Sequence, residues 1–218
     1  MDKISALLHQ HYTRTFELYG ASAKGVDWGE ESELLVRYDK ILAVMQKDFA
    51  ELSPDVSLLD VGCGWGGLLR RARALNIPLR YTGIDVVEAM IVHGRKEFPE
   101  SGFVHGDIFE LDEGAPYDYV VCNAILTQKL SATIPEMEAY LRRLVRKMFR
   151  LCTHGVCFNA MSTRVNYMVD NLYYQNPAEL LAWLLAEVSP RVVIDHGYSS
   201  LANGKGKFYD FTVYLYKD

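Results

Sequence analysis

The chain has 218 residues, of which 50% are apolar, so it is long enough for one sizeable α/β domain with its own core. A formal net charge of −5 argues against a nucleic-acid partner, because proteins that bind nucleic acid usually carry a basic stripe. The four cysteines form no C-x-x-C pair, no Asp/Glu/His group has metal-ligand spacing, and no apolar stretch is long enough to cross a membrane. These features predict a cytoplasmic protein with reduced thiols, no metal centre and no membrane partner.

Residues 1–55 precede the first core strand and are predicted to form an N-terminal helical arm that acts as a lid. Residues around Tyr12 recur at helical spacing and predict a first helix. A loop rich in small residues follows over residues 20–29. An apolar stripe then predicts a second helix over residues 30–52, which should end before Pro54.

The most informative feature is the glycine turn that follows the first predicted strand. Residues 58–67 (LLDVGCGWGG) predict a buried strand, a turn and a helix start, and Asp85 ends the next apolar run twenty-five positions after Asp60. A glycine turn lets the backbone approach a ligand closely, because no Cβ stands in the way. An acid at the tip of the next strand accepts two hydrogen bonds from a ribose diol. The pair predicts a site for an adenosine-containing cofactor.

Two classes of cofactor fit this turn, and Asp60 discriminates between them. Gly62, Gly64 and Gly67 satisfy the G-x-G-x-x-G spacing of dinucleotide enzymes, which alone is weak evidence. A carboxylate two residues before the first glycine would repel a pyrophosphate. S-Adenosylmethionine carries a sulfonium and an ammonium group, so it tolerates that carboxylate and can use it, and Asp60, Gly62 and Gly64 are predicted to bind the cofactor. The sequence therefore predicts S-adenosylmethionine as the cofactor, and not NAD.

Strand and helix patterns alternate from residue 57 onward, which predicts a parallel sheet with helices on both faces. Strands are predicted near residues 57–61, 80–84, 102–105, 118–123, 155–161, 191–196 and 208–216, and helices near 66–75, 87–97, 135–151 and 177–187. The last two strands are joined by a Gly-rich loop with no room for a helix, so they should be antiparallel. Residues 56–218 are thus predicted to form a single Rossmann-like α/β domain with a seven-stranded, mostly parallel sheet and an antiparallel C-terminal strand.

Four motifs in order resemble those of the class I S-adenosylmethionine-dependent methyltransferases, over about residues 58–161. They are Asp60-x-Gly62-x-Gly64-x-Gly66, the acid Asp85, Gly106-Asp107, and the strand YDYVVCN at residues 117–123. The resemblance implies that Asp85 binds the ribose and that Asp107, with Ile108 beside it, holds the adenine. It also implies that Asn123 lies beside the methionine part and the reacting methyl group. The antiparallel C-terminal strand fits the same superfamily.

Aromatic residues are concentrated in the arm and in residues 162–176, a segment that the resemblance assigns to a substrate lid. Aromatic faces attract a sulfonium through the ring quadrupole. The two segments are therefore predicted to close over the cofactor from opposite sides. The residues predicted to contact the cofactor from the arm are Tyr12, Tyr19 and Trp28, and those predicted to act at the reacting end are Tyr19, Trp28, Asn123, Tyr167 and Tyr173.

The leading functional hypothesis is methyl transfer to a small-molecule substrate, because the sulfonium methyl is already activated and needs alignment rather than a covalent nucleophile. The main alternative is attack on a carbon of the aminocarboxypropyl arm, which releases methylthioadenosine. Attack by the cofactor's own amino group would then form azetidine-2-carboxylate. A cofactor-binding regulatory subunit is a third possibility. The basic cluster within residues 142–150 favours a solvated helix face over an RNA-binding patch.

Overall fold

The computed structural model describes residues 1–45, 56–198 and 209–218. Within these residues a single mixed sheet has eight strands, with the order β3-β2-β1-β4-β5-β8-β7 and the short β6 paired to β5. The strands are β1 Ser57–Val61, β2 Arg80–Asp85, β3 Gly102–His105, β4 Tyr117–Cys122, β5 Cys152–Ser162, β6 Tyr174–Gln175, β7 Arg191–Asp195 and β8 Asp210–Tyr216. The helices are α1 Lys3–Tyr19, α2 Glu31–Leu42, α3 Gly67–Ala74, α4 Glu88–Glu97, α5 Ile134–Arg150 and α6 Pro177–Glu187.

The predicted α/β fold is confirmed, with three differences in detail. β1 to β5 pair in parallel, and β8 is antiparallel to both β5 and β7. The sequence prediction misses the short strand β6. This strand has only two residues, which pair with the end of β5. β5 also begins three residues earlier than predicted. The helix predicted over residues 30–52 is observed as α2, followed by a 3-10 turn at Ala43–Met45. The rest of that predicted helix lies outside the described residues, and so does residue 208, where the last strand is predicted to begin.

Local sequence explains where three of the helices, α1, α5 and α6, begin. The Asp2 carboxylate accepts from the Ser5 amide and caps α1. Thr133 and Glu136 form a reciprocal capping box at the start of α5. Asn176 caps α6, whose first residue is a proline. These caps fix the first residue of each of the three helices, whose apolar faces pack against the sheet.

Helices cover both faces of the sheet, and two buried apolar clusters result. One cluster joins α1, α5 and α6 to the sheet, and the other joins α2 and α3 to the opposite face. The four cysteines are buried free thiols. Because β1, β2 and β4 are parallel, their carboxyl ends meet at one edge, where open α/β sheets bind ligands. No helix in the described ranges is long and apolar enough to span a membrane.

Candidate functional site

A cavity of about 800 Å³, its mouth included, opens at the carboxyl ends of β1, β2 and β4. Its floor is formed by the glycine turn and the strand ends: Val61, Gly62, Cys63, Gly64, Ile84, Asp85, Val86, Met90, Gly106, Asp107, Ile108, Asn123, Ala124 and Ile125. The remaining lining residues, which we call the cover, come from the N-terminal arm and α5: Ser5, Leu8, Tyr12, Val26, Trp28, Tyr38 and Tyr140. This size and mixture of apolar walls and few polar groups is typical of a small-molecule site.

The glycine turn adopts a backbone that other residues would resist. Gly62 and Gly64 have φ of 69° and 55°, in the left-handed region. A Cβ on Gly62 would also lie 2.5 Å from the side chain of Ile125. The Gly62 amide donates to the Ile84 carbonyl at 2.8 Å, which ties the turn to the end of β2. The turn therefore brings bare backbone to the cavity floor, as the sequence predicts.

Asp85 holds the floor together from the end of β2. Its Oδ2 accepts from the Gly64 amide and its Oδ1 from the Val87 amide, both at 2.8 Å. Burial raises the pKa of this carboxyl, while the two amide bonds lower it. Each oxygen keeps a lone pair for a further donor, and Asp85 lines the cavity. The position suits an acid that would bind a ribose diol.

Asp107 and Ile108 stand at the neighbouring strand end, where β3 has finished. Asp107 accepts from the Phe109 amide at 3.1 Å and opens the 3-10 turn Ile108–Glu110. Both residues are buried and line the cavity. The structure thus brings these two residues and Asp85 to one end of the cavity floor.

Asp60 lies differently from the sequence hypothesis, which places it against the charged end of the cofactor. Its carboxylate accepts from the Tyr81 hydroxyl at 2.7 Å, and Asp60 is not among the residues that line the cavity. Burial, with a further contribution from the Asp85 charge, raises the pKa of Asp60 to about 7. No local pattern points to Tyr81 as a partner, because the contact depends on the register of β1 against β2.

The raised pKa of Asp60 predicts a pH-dependent stability of the cofactor-free protein. In the unfolded chain the carboxyl titrates near pH 4, so between about pH 4 and 7 the folded state binds an extra proton. The free energy of unfolding should therefore fall as pH rises from about 4 to 7 and level off above that. Asp60→Asn retains an acceptor for Tyr81 and should flatten this decline, measured by urea unfolding at pH 5, 6, 7 and 8. An identical pH profile in the variant would contradict the assignment.

Tyr12, Trp28, Tyr38 and Tyr140 form the aromatic part of the cover. Burial raises the pKa of the Tyr12 hydroxyl above its ordinary value, with the Asp27 charge acting in the same direction, so Tyr12 stays protonated. Sequence reasoning misses Tyr38 and Tyr140 as lining residues. Tyr38 belongs to the apolar stripe of α2, and nothing in the local pattern separates a stripe residue at the core from one at a cavity wall.

Trp28 has one ring face already occupied. The guanidinium carbon of Arg37 lies 3.8 Å from the centroid of the Trp28 ring. A cation on one face of an aromatic ring weakens its attraction for a second cation on the other face, because both draw on the same π electrons. Trp28 therefore suits a wall of the cavity better than a cage for a sulfonium.

Asn123 follows β4 and presents an open acceptor. Its Oδ1 is buried and has no hydrogen-bond partner among the described residues, although Asn123 lines the cavity. Buried polar atoms normally have hydrogen-bond partners, so an unpartnered acceptor that lines a cavity indicates a place for a ligand's N–H or O–H. The next residue, Ala124, has a φ of 75°, an uncommon conformation for a residue with a Cβ. Strain of this kind often accompanies functional sites.

The structure does not bring Tyr19, Tyr167 or Tyr173 to the cavity. Tyr19 is 54% exposed at the far end of α1, about 10 Å along the helix axis beyond Tyr12. Tyr167 is 59% exposed and packs edge-on against Tyr209. Tyr173 is 1% exposed, and its hydroxyl donates to Glu138 at 2.7 Å. A direct role in the reaction does not fit these positions.

Residues 162–176 pack beside the site rather than over it, which departs from the predicted two-sided lid. The Asn171 carbonyl accepts from the Lys129 and Leu130 amides, and the Tyr173 amide donates to the Thr127 carbonyl. The segment is therefore held against the loop between β4 and α5. The aromatic composition of this segment favours a lid. Composition does not reveal which neighbour a loop contacts, so the prediction places the segment wrongly.

Asp27 joins the arm to the loop after β4. Its Oδ2 lies 2.9 Å from His11 Nε2 and accepts from Gln128 Nε2 at 2.8 Å. The residues on either side of Asp27, Val26 and Trp28, both line the cavity. This contact, which we call the Asp27 latch, connects α1, the 3-10 turn Lys24–Val26 and the β4–α5 loop.

Opening the Asp27 latch should speed the exchange of a bound ligand. We expect Asp27→Ala to raise the dissociation rate of S-adenosylmethionine about three- to tenfold, because an exposed contact to His11 and a partly buried hydrogen bond from Gln128 are lost. Stopped-flow displacement would measure the rate, with Glu17→Ala on an exposed turn of α1 as the matched control. Amide exchange over residues 1–29 should slow when cofactor binds. An unchanged dissociation rate would show that the latch does not restrain the cover.

Comparisons with known proteins find similarity to methyltransferases. A family model described as a methyltransferase domain matches residues 59–158. A predicted methyltransferase of Mycobacterium tuberculosis is 28% identical over 166 residues, which are 74% of this chain and 93% of that protein. The dTDP-4-amino-2,3,4,6-tetradeoxy-D-glucose N,N-dimethyltransferase of Saccharopolyspora spinosa is 32% identical over 141 residues, 64% of this chain and 50% of that protein. The chain thus matches half the length of the latter.

Among solved structures, magnesium protoporphyrin IX methyltransferase from Synechocystis with bound S-adenosylmethionine is similar in fold. The TM-score is 0.69 with 16% sequence identity, and the match covers 100% of this chain and 99% of that one. At this identity the likeness concerns the fold alone.

Proposed function

Because the chain belongs to the class I S-adenosylmethionine-dependent methyltransferases, we propose that it transfers the cofactor's methyl group to a small-molecule acceptor. One observation carries this proposal: a single covered cavity combines Asp85 and Asp107 at one end of its floor with the unpartnered Oδ1 of Asn123 among the described residues. The cofactor supplies an electrophilic methyl carbon on a sulfonium. The protein's task is to bind, orient and exclude water.

The cavity lining fits a cofactor with a net positive charge. Asp85 and Asp107 are its only carboxylates among the described residues, and no lysine or arginine of those residues lines it. We propose that Asp85 would hold the ribose diol, that Asp107 and Ile108 would hold the adenine, and that the Gly62–Gly64 backbone would lie along the methionine part. Tyr12 stays protonated and can donate a hydrogen bond, while Asn123 accepts one from an N–H or O–H at the reacting end.

A small acceptor is favoured over a nucleic acid. The cavity is covered by the arm, and the basic cluster of α5 is neutralised locally. Its side chains pair with acids as follows: Arg142 with Glu138, Arg143 with Asp2, Arg146 with Glu187, and Lys147 and Arg150 with Glu113. A phosphate backbone would have to displace these partners. We therefore propose small-molecule metabolism in the cytoplasm, with residues 1–55 as the covering arm and residues 56–218 as the cofactor-binding domain.

One observation favours the alternative, attack on the aminocarboxypropyl arm. Among the described lining residues there is no histidine, lysine, arginine or glutamate that could bind a charged acceptor or take up its proton. An intramolecular attack by the cofactor's amino group needs no second binding site. It would break the bond between sulfur and the arm, release methylthioadenosine and close a four-membered ring, with one proton lost from the amino group.

Product analysis decides between the two reactions. The purified chain should be incubated with S-adenosylmethionine alone and with a deproteinised metabolite extract, and the products separated by mass spectrometry. Methyl transfer predicts S-adenosylhomocysteine that appears only with the extract. Methylthioadenosine with a cyclic amino acid, formed without extract, would establish the alternative. Cofactor binding without either product would indicate a regulatory subunit.

A further inference from the structure

We propose that Arg37, Asp210 and Asn159 are positioning residues that fix the two walls of the reacting end of the cavity relative to each other. One wall is Trp28 from the arm, and the other is Asn123 from the loop after β4. None of these three side chains lines the cavity itself. This inference rests on the proposed function for its activity readout, but not for its structural one.

The first half of the connection runs from the arm to the sheet. Arg37 donates to both oxygens of Asp210, from Nε and from Nη2, each at 2.9 Å. The Arg37 side chain is 4% exposed and that of Asp210 is 0% exposed. A buried, bidentate pair of this kind has a fixed geometry, because the planar fork matches the carboxylate. Its guanidinium plane supports the Trp28 ring at 3.8 Å.

The second half runs from the same carboxylate to the loop after β4. Asn159 Nδ2 donates to Asp210 Oδ2 at 3.1 Å, and Asn159 Oδ1 accepts from the Ala124 amide at 2.7 Å. Both partners require this orientation of the Asn159 side-chain amide, since a carboxylate can only accept and a backbone N–H can only donate. Asn159 therefore holds Ala124 at its uncommon φ of 75°, and with it the peptide that follows Asn123.

Asp210 is the residue where the two halves meet. It lies at the start of β8, and Asn159 lies on the adjacent β5, where their neighbours pair in register. Arg37 is 173 positions away from Asp210 in the sequence. The arm, through Arg37, and the loop after β4, through Asn159, are thus both connected to one buried carboxylate. Alignment of nucleophile, carbon and sulfur depends on both walls, and a displacement of about 1 Å can cost 10²-fold in rate.

A purely structural role would predict something different. If the network served stability alone, its variants would lose cofactor affinity and turnover in the same proportion as they lose folded protein. Positioning predicts a split between the two quantities, because Asp85 and Asp107 would bind the adenosine part independently. It also predicts that a change at Asn159 alters the environment of Trp28, to which Asn159 is linked through Asp210 and Arg37.

The test uses the full chain labelled with 5-fluorotryptophan, whose three tryptophans are assigned by single Trp→Phe substitutions. The variants are Asn159→Leu and Arg37→Lys, and the latter keeps the buried positive charge if the former folds poorly. Asp118→Asn is the matched control, because Asp118 also bonds a neighbouring strand but at the amino ends of the strands, away from the cavity. Cofactor affinity is measured by calorimetry and turnover as total S-adenosylmethionine consumed.

We expect affinity within about threefold of wild type, turnover reduced at least about tenfold, and a shifted Trp28 fluorine resonance in both variants. The control should match wild type in all three. An unshifted Trp28 resonance in folded Asn159→Leu, or parallel losses of affinity and turnover, would overturn the proposal. If the wild-type chain turns over no cofactor at all, the proposed function fails while the Trp28 resonance still decides the positioning role.

Discussion

Replacing Asp85 by alanine should weaken binding of S-adenosylmethionine by about 1–3 kcal/mol, which is roughly a five- to 150-fold loss of affinity. The carboxylate would bind the ribose, and it also accepts from the Gly64 and Val87 amides. The substitution therefore removes a direct contact and loosens the glycine turn at once. Isothermal titration calorimetry on the folded variant measures the loss.

Two comparisons make the Asp85 prediction specific. Asp118→Ala removes an acid that likewise accepts from a backbone amide, that of Ser57, but at the other end of the strands, so its affinity should remain that of wild type. Because burial raises the pKa of Asp85 and only the ionised form accepts both ribose hydroxyls, affinity should rise with pH through that pKa. Unchanged affinity in folded Asp85→Ala would remove the ribose assignment.

The floor of the site could be predicted from sequence because its parts are local. Gly62 needs a positive φ and lies directly after a strand, and Asp85 ends the next strand. A parallel sheet then brings these strand ends together without further information. Asp107 follows the same rule. Local chemistry and a regular topology are both readable from the residue pattern.

The cover and its support could not be predicted in this way. Whether an aromatic residue lines a cavity depends on how its helix rests on the sheet, so sequence reasoning misses Tyr38 and misplaces Tyr173. The pair of Arg37 with Asp210 joins residues 173 positions apart. A single arginine within an amphipathic helix gives no sign of such a partner, because most helix arginines point to solvent.

Replacing Asn123 by leucine should lower turnover at least about tenfold while leaving the free energy of unfolding unchanged or increased. The two side chains have the same number of heavy atoms and branch at the same carbon, and leucine removes a buried oxygen that has no partner among the described residues. An unsatisfied buried polar atom costs about 1–3 kcal/mol, so its removal offsets other losses in the cofactor-free protein. The reacting end then has no acceptor to orient an N–H or O–H, and alignment suffers.

If the free energy of unfolding rises while turnover falls, the unpartnered oxygen of Asn123 has a function and is not an ordinary packing defect. Trp183 provides the control, because its Nε1 is also buried without a partner in the described structure but does not line the cavity. Trp183→Phe should therefore leave turnover at the wild-type level. Asn123→Asp retains an oxygen and should keep more activity than Asn123→Leu, measured by the same product assay. If Asn123→Leu is destabilised and fully active, Oδ1 bonds within the protein and has no role in orienting a ligand.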